Sequence, residues 1–290
     1  MKKLIKKIYR AMPLKQQVFS VLRKIIRLPN SIYKHLYFDG VVSFRVNGKL
    51  VKMNQRGYDV ENTLFWAGVK GCWEKVSVDI WIKLCSRADT IMDIGANTGA
   101  YALIAKTVNA KAEVFAFEPF EIIFRRLEAN AKLNNLAIQC IPFAVSDYDG
   151  TAKVYPVSLD HFYSITVNKN LSPGHVKVHE IEIKTKTLST FIRENNISRI
   201  DLMKIDVETH EPELLAGMGE YLGKWKPVML IEILTDEVGE KVQKIIEGMG
   251  YLYFNIDEKG SVKRVNKIMK SDYYNYLFCS EEDARYLNLV

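Results

Sequence analysis

An α/β fold on a doubly wound, mostly parallel sheet is what the sequence predicts, and three observations predict it. Ile91-Met-Asp-Ile94 ends an apolar run that reads as a buried strand, and Gly95 and Gly99 bracket a tight turn directly after it. Apolar residues then recur at helical spacing from Tyr101 to Val108, ahead of Val114-Phe-Ala-Phe117, a short buried strand closed by the acid Glu118. Further along, Ile200 to Val207 and Val228 to Ile233 read as two more buried strands, each followed by a helical pattern. Strand, turn, helix, strand is the first half of a doubly wound sheet, in which a nucleotide-like ligand sits at the strand C-termini.

The turn constrains the ligand. A dinucleotide turn carries three glycines and receives a pyrophosphate at the helix N-terminus. Here Asp93-x-Gly95-x-Asn97-x-Gly99 has Asn97 at the second glycine position and Tyr101 near the third, and Asp93 would repel a pyrophosphate. An acid beside the turn suits a ligand with a cationic end, such as the ammonium and sulfonium of S-adenosylmethionine. Gly95 and Gly99 would let backbone approach that ligand, and Glu118 would accept from its two ribose hydroxyls.

At 290 residues, 48% of them hydrophobic, the chain is long enough for one large domain with an appendage. The net charge of +7 is local: residues 1–38 hold ten basic residues and no acid, and the remainder carries 31 basic against 34 acidic residues. The body is therefore slightly acidic, which argues against a nucleic-acid partner. Cys72, Cys85, Cys140 and Cys279 show no paired metal spacing, so free thiols and a reducing, cytoplasmic location are expected. The N-terminus lacks a continuous apolar core of the kind a signal peptide or spanning helix needs. Ile5, Ile8, Tyr9, Val18, Val21, Leu22, Ile25 and Ile26 recur at helical spacing among lysines and arginines. Two readings follow: a helix lying on the anionic inner face of a membrane, or one packed on the main domain with its basic face solvated.

In chain order, Val41 to Val46 and Lys49 to Met53 alternate around Asn47-Gly48, a hairpin signal. Residues 57–89 read as helix, with Trp66, Trp73 and Trp81 as a stripe on a core face; Tyr58 to Phe65 is the stretch that could cover a ligand. These features place an N-terminal region of basic helix, hairpin and helical cap at 1–80 and the ligand-binding domain at 81–290. Residues 120–134 read as helix and Ile138 to Val145 as the third strand, ending at Ser146-Asp147. Either residue could bond an adenine amine, or the pair could be turn chemistry alone. Thr151 to Val157 and Val176 to Lys184 alternate as two inserted strands joined by a polar loop with His161, Tyr163, Ser164 and His175. Thr187 to Asn195 returns to helix.

The second chemical stretch, Ile200 to Leu215, brings Asp206, Glu208 and His210 to the end of the fourth strand, ahead of a helix from Glu211 to Leu222. Glu232 lies near the end of the neighbouring fifth strand. Acids in apolar strands need a reason. One is activation of an acceptor hydroxyl, by a general base or through a divalent cation held by carboxylates; the other is helix capping plus a buried hydrogen bond. A helix from Asp236 to Met249 and strands Tyr251 to Ile256 and Tyr273 to Cys279, expected as a hairpin, complete seven strands.

Met92-Asp-Ile-Gly-Ala-Asn-Thr-Gly-Ala-Tyr-Ala-Leu103, Ala116-Phe-Glu-Pro119, Ala144-Val-Ser-Asp147, Leu202-Met-Lys-Ile-Asp-Val-Glu208 and Pro227-Val-Met-Leu-Ile-Glu232 occur in one order. In these residues the chain resembles the FkbM family of S-adenosylmethionine-dependent methyltransferases. The resemblance implies a Rossmann-like, seven-stranded class I methyltransferase sheet with an N-terminal helical and hairpin extension and a β insertion before strand 4. It implies cofactor contacts at Asp93, Gly95, Ala96, Asn97, Gly99, Tyr101, Glu118, Pro119, Ser146 and Asp147, and a catalytic set of Asp206, Glu208, His210 and Glu232. It also implies O-methylation, with a sugar hydroxyl of a glycan or polysaccharide precursor, or a hydroxyl of a secondary metabolite, as acceptor. The family usually has glycine after Asp-Val-Glu; Thr209-His210 stands here. Rival readings are a nicotinamide-dependent oxidoreductase, and a binding protein on this fold whose site Thr209 has disabled.

Overall fold

The computed structural model describes residues 13–57, 59–156, 165–166 and 181–290, and the chain divides into two compact units between Lys75 and Val76. Ile5, Ile8, Tyr9, Tyr58, His161, Tyr163, Ser164, His175 and the start of the second inserted strand lie outside the described residues.

In the first unit, helices α1 (Lys15–Ile25) and α2 (Asn30–Tyr33) precede a hairpin of β1 (Asp39–Val46) and β2 (Lys49–Arg56), then α3 (Asp59–Ala67). Asn47 and Gly48 adopt φ of 47° and 80°, the left-handed pair that a two-residue hairpin turn requires. Val42, Phe44 and Val46 face Val51 and Met53 on the buried side, as the alternation predicts. Residues 57–89 are not one helix: α3 ends at Ala67, a 3₁₀ turn spans Val69–Gly71, and α4 covers Lys75–Cys85. The break at Gly68, with φ 66°, rotates the stripe, so Trp81 is buried while Trp73 is 39% exposed.

The second unit carries an eight-stranded sheet. Its strands are β3 (Thr90–Ile94), β4 (Glu113–Phe117), β5 (Ile138–Ile141), β10 (Leu202–Ile205), β11 (Val228–Glu232), β12 (Leu252–Asp257), β13 (Ser261–Val265) and β14 (Asn275–Cys279). They lie in the order β13-β12-β14-β11-β10-β3-β4-β5, with β5 to β11 parallel and β14, β12 and β13 antiparallel. Seven strands follow the expected pattern, and β13 is an eighth that its polar Ser-Val-Lys-Arg-Val sequence concealed. It forms the hairpin with β12, whereas β14 inserts between β12 and β11. Helices α5 (Ala100–Val108), α6 (Glu121–Leu133), α7 (Leu188–Glu194), α8 (Glu211–Gly217), α9 (Glu220–Trp225), α10 (Asp236–Ile246) and α11 (Glu281–Tyr286) accompany the sheet. The expected helix over 211–222 is two, because Gly219 adopts φ 59° between α8 and α9.

On one side of the sheet, Met92, Ile94, Phe115, Phe117, Ile205, Met229 and Phe278 join Phe191, Leu214 and Val242 in one buried cluster. Each such side chain contributes about 1.5–3 kcal/mol by leaving water. Phe117, Phe143 and Phe191 meet edge-to-face at centroid distances of 5.0–5.8 Å, fixing α7 against the sheet. On the other side, Trp81 stands edge-on to Tyr101, and its ring nitrogen donates to the Tyr101 carbonyl at 3.1 Å.

The expected third strand over 138–145 is interrupted at Pro142. Beyond it, β6 (Ala144–Val145) leaves the large sheet and pairs with β9 (Ile181–Lys186). With β7 (Gly150–Pro156) and β8 (Ile165–Thr166) they form a small sheet in the order β6-β9-β7-β8. Among the described residues no helix is long and apolar enough to cross a membrane.

Candidate functional site

The C-terminal ends of β3, β4 and β10 converge because the loop after β3 is drawn against both neighbours. Gly95 and Ala96 donate to the Phe117 carbonyl at 3.1 and 2.9 Å, and Asp206 donates its backbone N–H to the Ile94 carbonyl at 3.0 Å. Gly95 (φ 80°), Asn97 (φ 49°) and Gly99 (φ 91°) all adopt left-handed backbone, which glycine and asparagine tolerate. The space Gly95 leaves belongs to the protein: a Cβ there would lie 1.8 Å from the Asp206 carbonyl oxygen. A Cβ on Gly99 would meet Leu127 at 2.5 Å. Both glycines thus make room for neighbouring atoms of the protein itself.

Most backbone donors of this turn bond within the protein, as do donors of the segments beside it. Asn97 donates to Glu118 Oε2 at 3.1 Å, Phe120 donates to Glu118 Oε1 at 3.0 Å, and Ala102, in the first turn of α5, donates to Asp93 Oδ2 at 2.9 Å. Asp93 therefore sits where a phosphate would sit in a dinucleotide turn, on the positive end of the helix. That arrangement disfavours a pyrophosphate and fits a nucleoside with a cationic end. Glu118 keeps acceptor capacity on each oxygen after its two backbone bonds, as a pair of ribose hydroxyls requires.

Strand register places Lys204 of β10 beside Asp93 of β3. Lys204 is 1% exposed, its Nζ 3.2 Å from Asp206 Oδ2 and 5.3 Å from the centre of the Tyr101 ring. A buried ammonium needs such partners. The signal in the sequence was a lysine at the centre of the apolar run Leu202-Met-Lys-Ile205. Around it the acids share one environment. Burial pushes Asp93 up to about 7, against the pull of Lys204. Burial pushes Glu118 up to about 7, with Asp93 adding to the rise. Glu208 is raised to about 7 by burial and then by Asp206, and Glu211 to about 8, chiefly by burial. The cluster holds more acid than its one buried lysine balances, which a cationic ligand would relieve.

The loop after β10 is built differently. Glu208 and Thr209 both adopt left-handed backbone, φ 53° and 79°, without being glycine or asparagine. Beyond them His210 shares a 2.9 Å hydrogen bond between its Nε2 and Ser146 Oγ, and its Nδ1 lies 3.6 Å from Glu213 Oε2. Burial lowers the imidazole pKa, against the pull of Glu213 and then Asp147. Ser146 is fully buried and its carbonyl presses on α8, where a Cβ on Gly217 would lie 2.0 Å away. Ser146 is thus joined to His210, while Asp147 is exposed and accepts from Ser146 Oγ at 3.2 Å. Ala96 and Tyr101 are buried, and Pro119 follows Glu118 half-buried. Glu232 ends β11 half-buried, in register with Asn275 of β14. Sequence reasoning missed Lys204 and Gly217, which meet Asp93 and Ser146 from far along the chain, and Glu213, which lies one helical turn from His210. Among the described residues no three His, Cys, Asp or Glu side chains gather as a metal site.

The strand order and a helix N-terminus capped by the domain's own acid define a class I methyltransferase domain. The family model for the methyltransferase FkbM domain matches residues 93–259, more than half of the chain, and the chain belongs to that family. It is a methyltransferase, and the family implies S-adenosylmethionine as methyl donor. The chain is 28% identical over 193 residues to methyltransferase sdnD of Sordaria araneosa, covering 56% of this chain and 73% of that protein. It is 31% identical over 154 residues to 31-O-demethyl-FK506 methyltransferase FkbM of Streptomyces tacrolimicus, covering 45% of this chain and 59% of that one. It is 27% identical over 132 residues to hexuronic acid methyltransferase AglP of Haloferax volcanii, covering 45% of this chain and 50% of that one. The crystal structure of methyltransferase FkbM from Methylobacillus flagellatus KT overlaps 66% of this chain and 44% of its own, at 15% identity and a TM-score of 0.44.

Proposed function

We propose that the protein is an S-adenosylmethionine-dependent O-methyltransferase acting on a sugar hydroxyl of a glycan or polysaccharide precursor, with residues 81–290 as the catalytic domain and 1–80 as an N-terminal region of basic helix, hairpin and helical cap. The observation that carries the reading is the acid cluster at the ends of β3, β4 and β10, with Asp93 capping α5. S-adenosylmethionine, when bound, supplies an electrophilic methyl group on a sulfonium. Asp93 and Glu118 would hold its cationic and ribose ends, with Gly95 to Gly99, Tyr101 and Pro119 forming the surrounding wall.

A sugar hydroxyl is a weak acid, so its proton needs an acceptor as the methyl group is transferred. Asp206 is committed to Lys204. His210 is engaged with Ser146, whose hydroxyl it orients. Glu208, raised to about 7, has the proton affinity a general base needs near neutrality, and we assign it that role. Glu232 would bind the acceptor from the next strand. The hexuronic acid methyltransferase relative supports a sugar acceptor, and the 31-O-demethyl-FK506 relative supports a small secondary metabolite as the second reading. Four free cysteines fit a reducing compartment, and we place the enzyme in the cytoplasm.

Calorimetric titration with S-adenosylmethionine, S-adenosylhomocysteine and NAD tests the assignment, with Glu118→Ala as control. Saturable binding of the first two is expected, weakened about tenfold or more in the control, as for a lost charged hydrogen bond. Tight binding of NAD alone would sink the proposal. Product analysis over glycan and metabolite acceptors then separates the two substrate readings.

A further inference from the structure

Helix α1 (Lys15–Ile25) is oriented the wrong way round for a surface helix. Leu14, Val18, Val21 and Ile25 fall at spacings of four, three and four, which stacks them on one side of the helix. That side faces solvent: the four are 65%, 42%, 56% and 73% exposed. A surface helix ordinarily turns such a stripe inward.

The inward side is held by polar bonds instead. Arg23 Nη1 donates to the carbonyls of Ser43 at 3.0 Å and Phe65 at 2.6 Å, and its guanidinium lies 4.1 Å from the centre of the Phe65 ring. Gln16 Nε2 donates to the Val41 carbonyl at 2.9 Å, and Phe19 is buried between Phe38 and Trp66. These contacts set the rotation of α1 about its axis, so the aliphatic stripe cannot turn inward without breaking them. Ile26, exposed beyond the last turn, extends the apolar surface.

The charges around the stripe are of one sign. By helical spacing Lys15 and Lys24 flank it on opposite sides, exposed Arg27 follows, and residues 1–38 contain no acid. An apolar stripe bordered by lysines whose stems can lie along it and whose ammonium groups reach outward is the pattern of a helix lying in a bilayer interface. We infer that α1 docks this protein onto an anionic lipid surface, with Leu14, Val18, Val21 and Ile25 entering the headgroup–acyl boundary and Lys15, Lys24 and Arg27 against the lipid anions. The packed alternative needs the aliphatic face inside, whereas Leu14, Val18, Val21 and Ile25 are exposed together with Lys24 and Arg27. The inference is independent of the acceptor, because none of these residues belongs to the methyl-transfer site.

Flotation of the full chain with vesicles tests it, using phosphatidylcholine alone and phosphatidylcholine mixed with phosphatidylglycerol. Wild type is expected to float with the mixed vesicles and be released by salt. A Val21→Gln/Ile25→Gln variant should lose at least tenfold in partitioning, and Lys24→Gln about fivefold, as for one interfacial charge. Thermal melting and S-adenosylmethionine binding should be unchanged in both, since these side chains are exposed. Failure of wild type to float with anionic vesicles overturns the inference. So does equal flotation of the Val21→Gln/Ile25→Gln variant, which would transfer the binding to other basic residues. Concentration-dependent self-association of wild type, abolished in that variant, would also overturn it by showing that a second copy covers the stripe.

Discussion

Two loops meet at the C-terminal edge of the large sheet, and both require left-handed backbone. The loop after β3 supplies it with Gly95, Asn97 and Gly99, which adopt it at low cost, and its N–H groups find the Phe117 carbonyl and the Glu118 carboxylate. The loop after β10 asks the same of Glu208 and Thr209, and a β-branched residue at φ 79° is a true outlier. The loop after β3 is thus relaxed. The loop after β10 is strained, carries raised carboxylates, and is held by the Ser146–His210 bond from the neighbouring loop. Under the proposed function, Glu208 is the side chain that this strain would aim.

The largest effect should come from breaking the contact between the loops. Gly95→Ala puts a Cβ against the Asp206 carbonyl, where backbone on both sides must move. The expected loss is upwards of about 3 kcal/mol in a denaturant melt, whereas Gly99→Ala, which meets only the movable Leu127 side chain, should lose about 1–2 kcal/mol. Similar losses for the two would show that the loops can separate freely.

Next comes chemistry on the strained side. Glu208→Gln should lower kcat by about a hundredfold or more, as for a lost general base, with S-adenosylmethionine affinity changed by only a few-fold. An unchanged kcat would move the base to another group.

A smaller and broader effect is pH dependence of the ligand-free protein. Asp93, Glu118 and Glu208 titrate near 7 and Glu211 near 8 in the folded state, against about 4 for an unfolded carboxylate. Between those values the native protein holds protons that the unfolded chain has released, so stability falls as pH rises through the window. His210, lowered by burial, acts in the opposite sense below about pH 6.5. Melting temperature should therefore drop between about pH 6.5 and 8, where the carboxylates act without that opposition, and Glu211→Gln should flatten the drop. A flat wild-type profile over that interval would mean the acids are already ionised in the folded protein.

The smallest expected effect relieves the strain itself. Thr209→Gly should stabilise by about 1 kcal/mol, relief at φ 79° exceeding the added freedom of the unfolded chain, and raise Tm by about 2–4 °C. A lower Tm would mean that Thr209 makes a contact worth more than its strain.

The sequence by itself determined what depends on near neighbours along the chain. Asp93, Gly95, Asn97, Gly99 and Glu118 could be read from one strand-turn-helix-strand stretch, because a turn's residue types follow from its own dihedrals and period marks buried strands. The Asn47-Gly48 hairpin was legible for the same reason. Tertiary structure alone decided what needs two distant segments. Ser146 and His210 meet across 64 residues, and Lys204 finds Asp93 only through the register of β10 on β3. Pro142 diverts β6 into the small sheet, and the polar edge strand β13 exists only because β12 offers it a partner. The stripe on α1 shows the same division. Its aliphatic spacing was plain in the sequence, but periodicity gives a helix two faces without saying which one turns outward. That choice fell to Arg23, through hydrogen bonds to carbonyls of β1 and α3 that come near it only once the hairpin has folded.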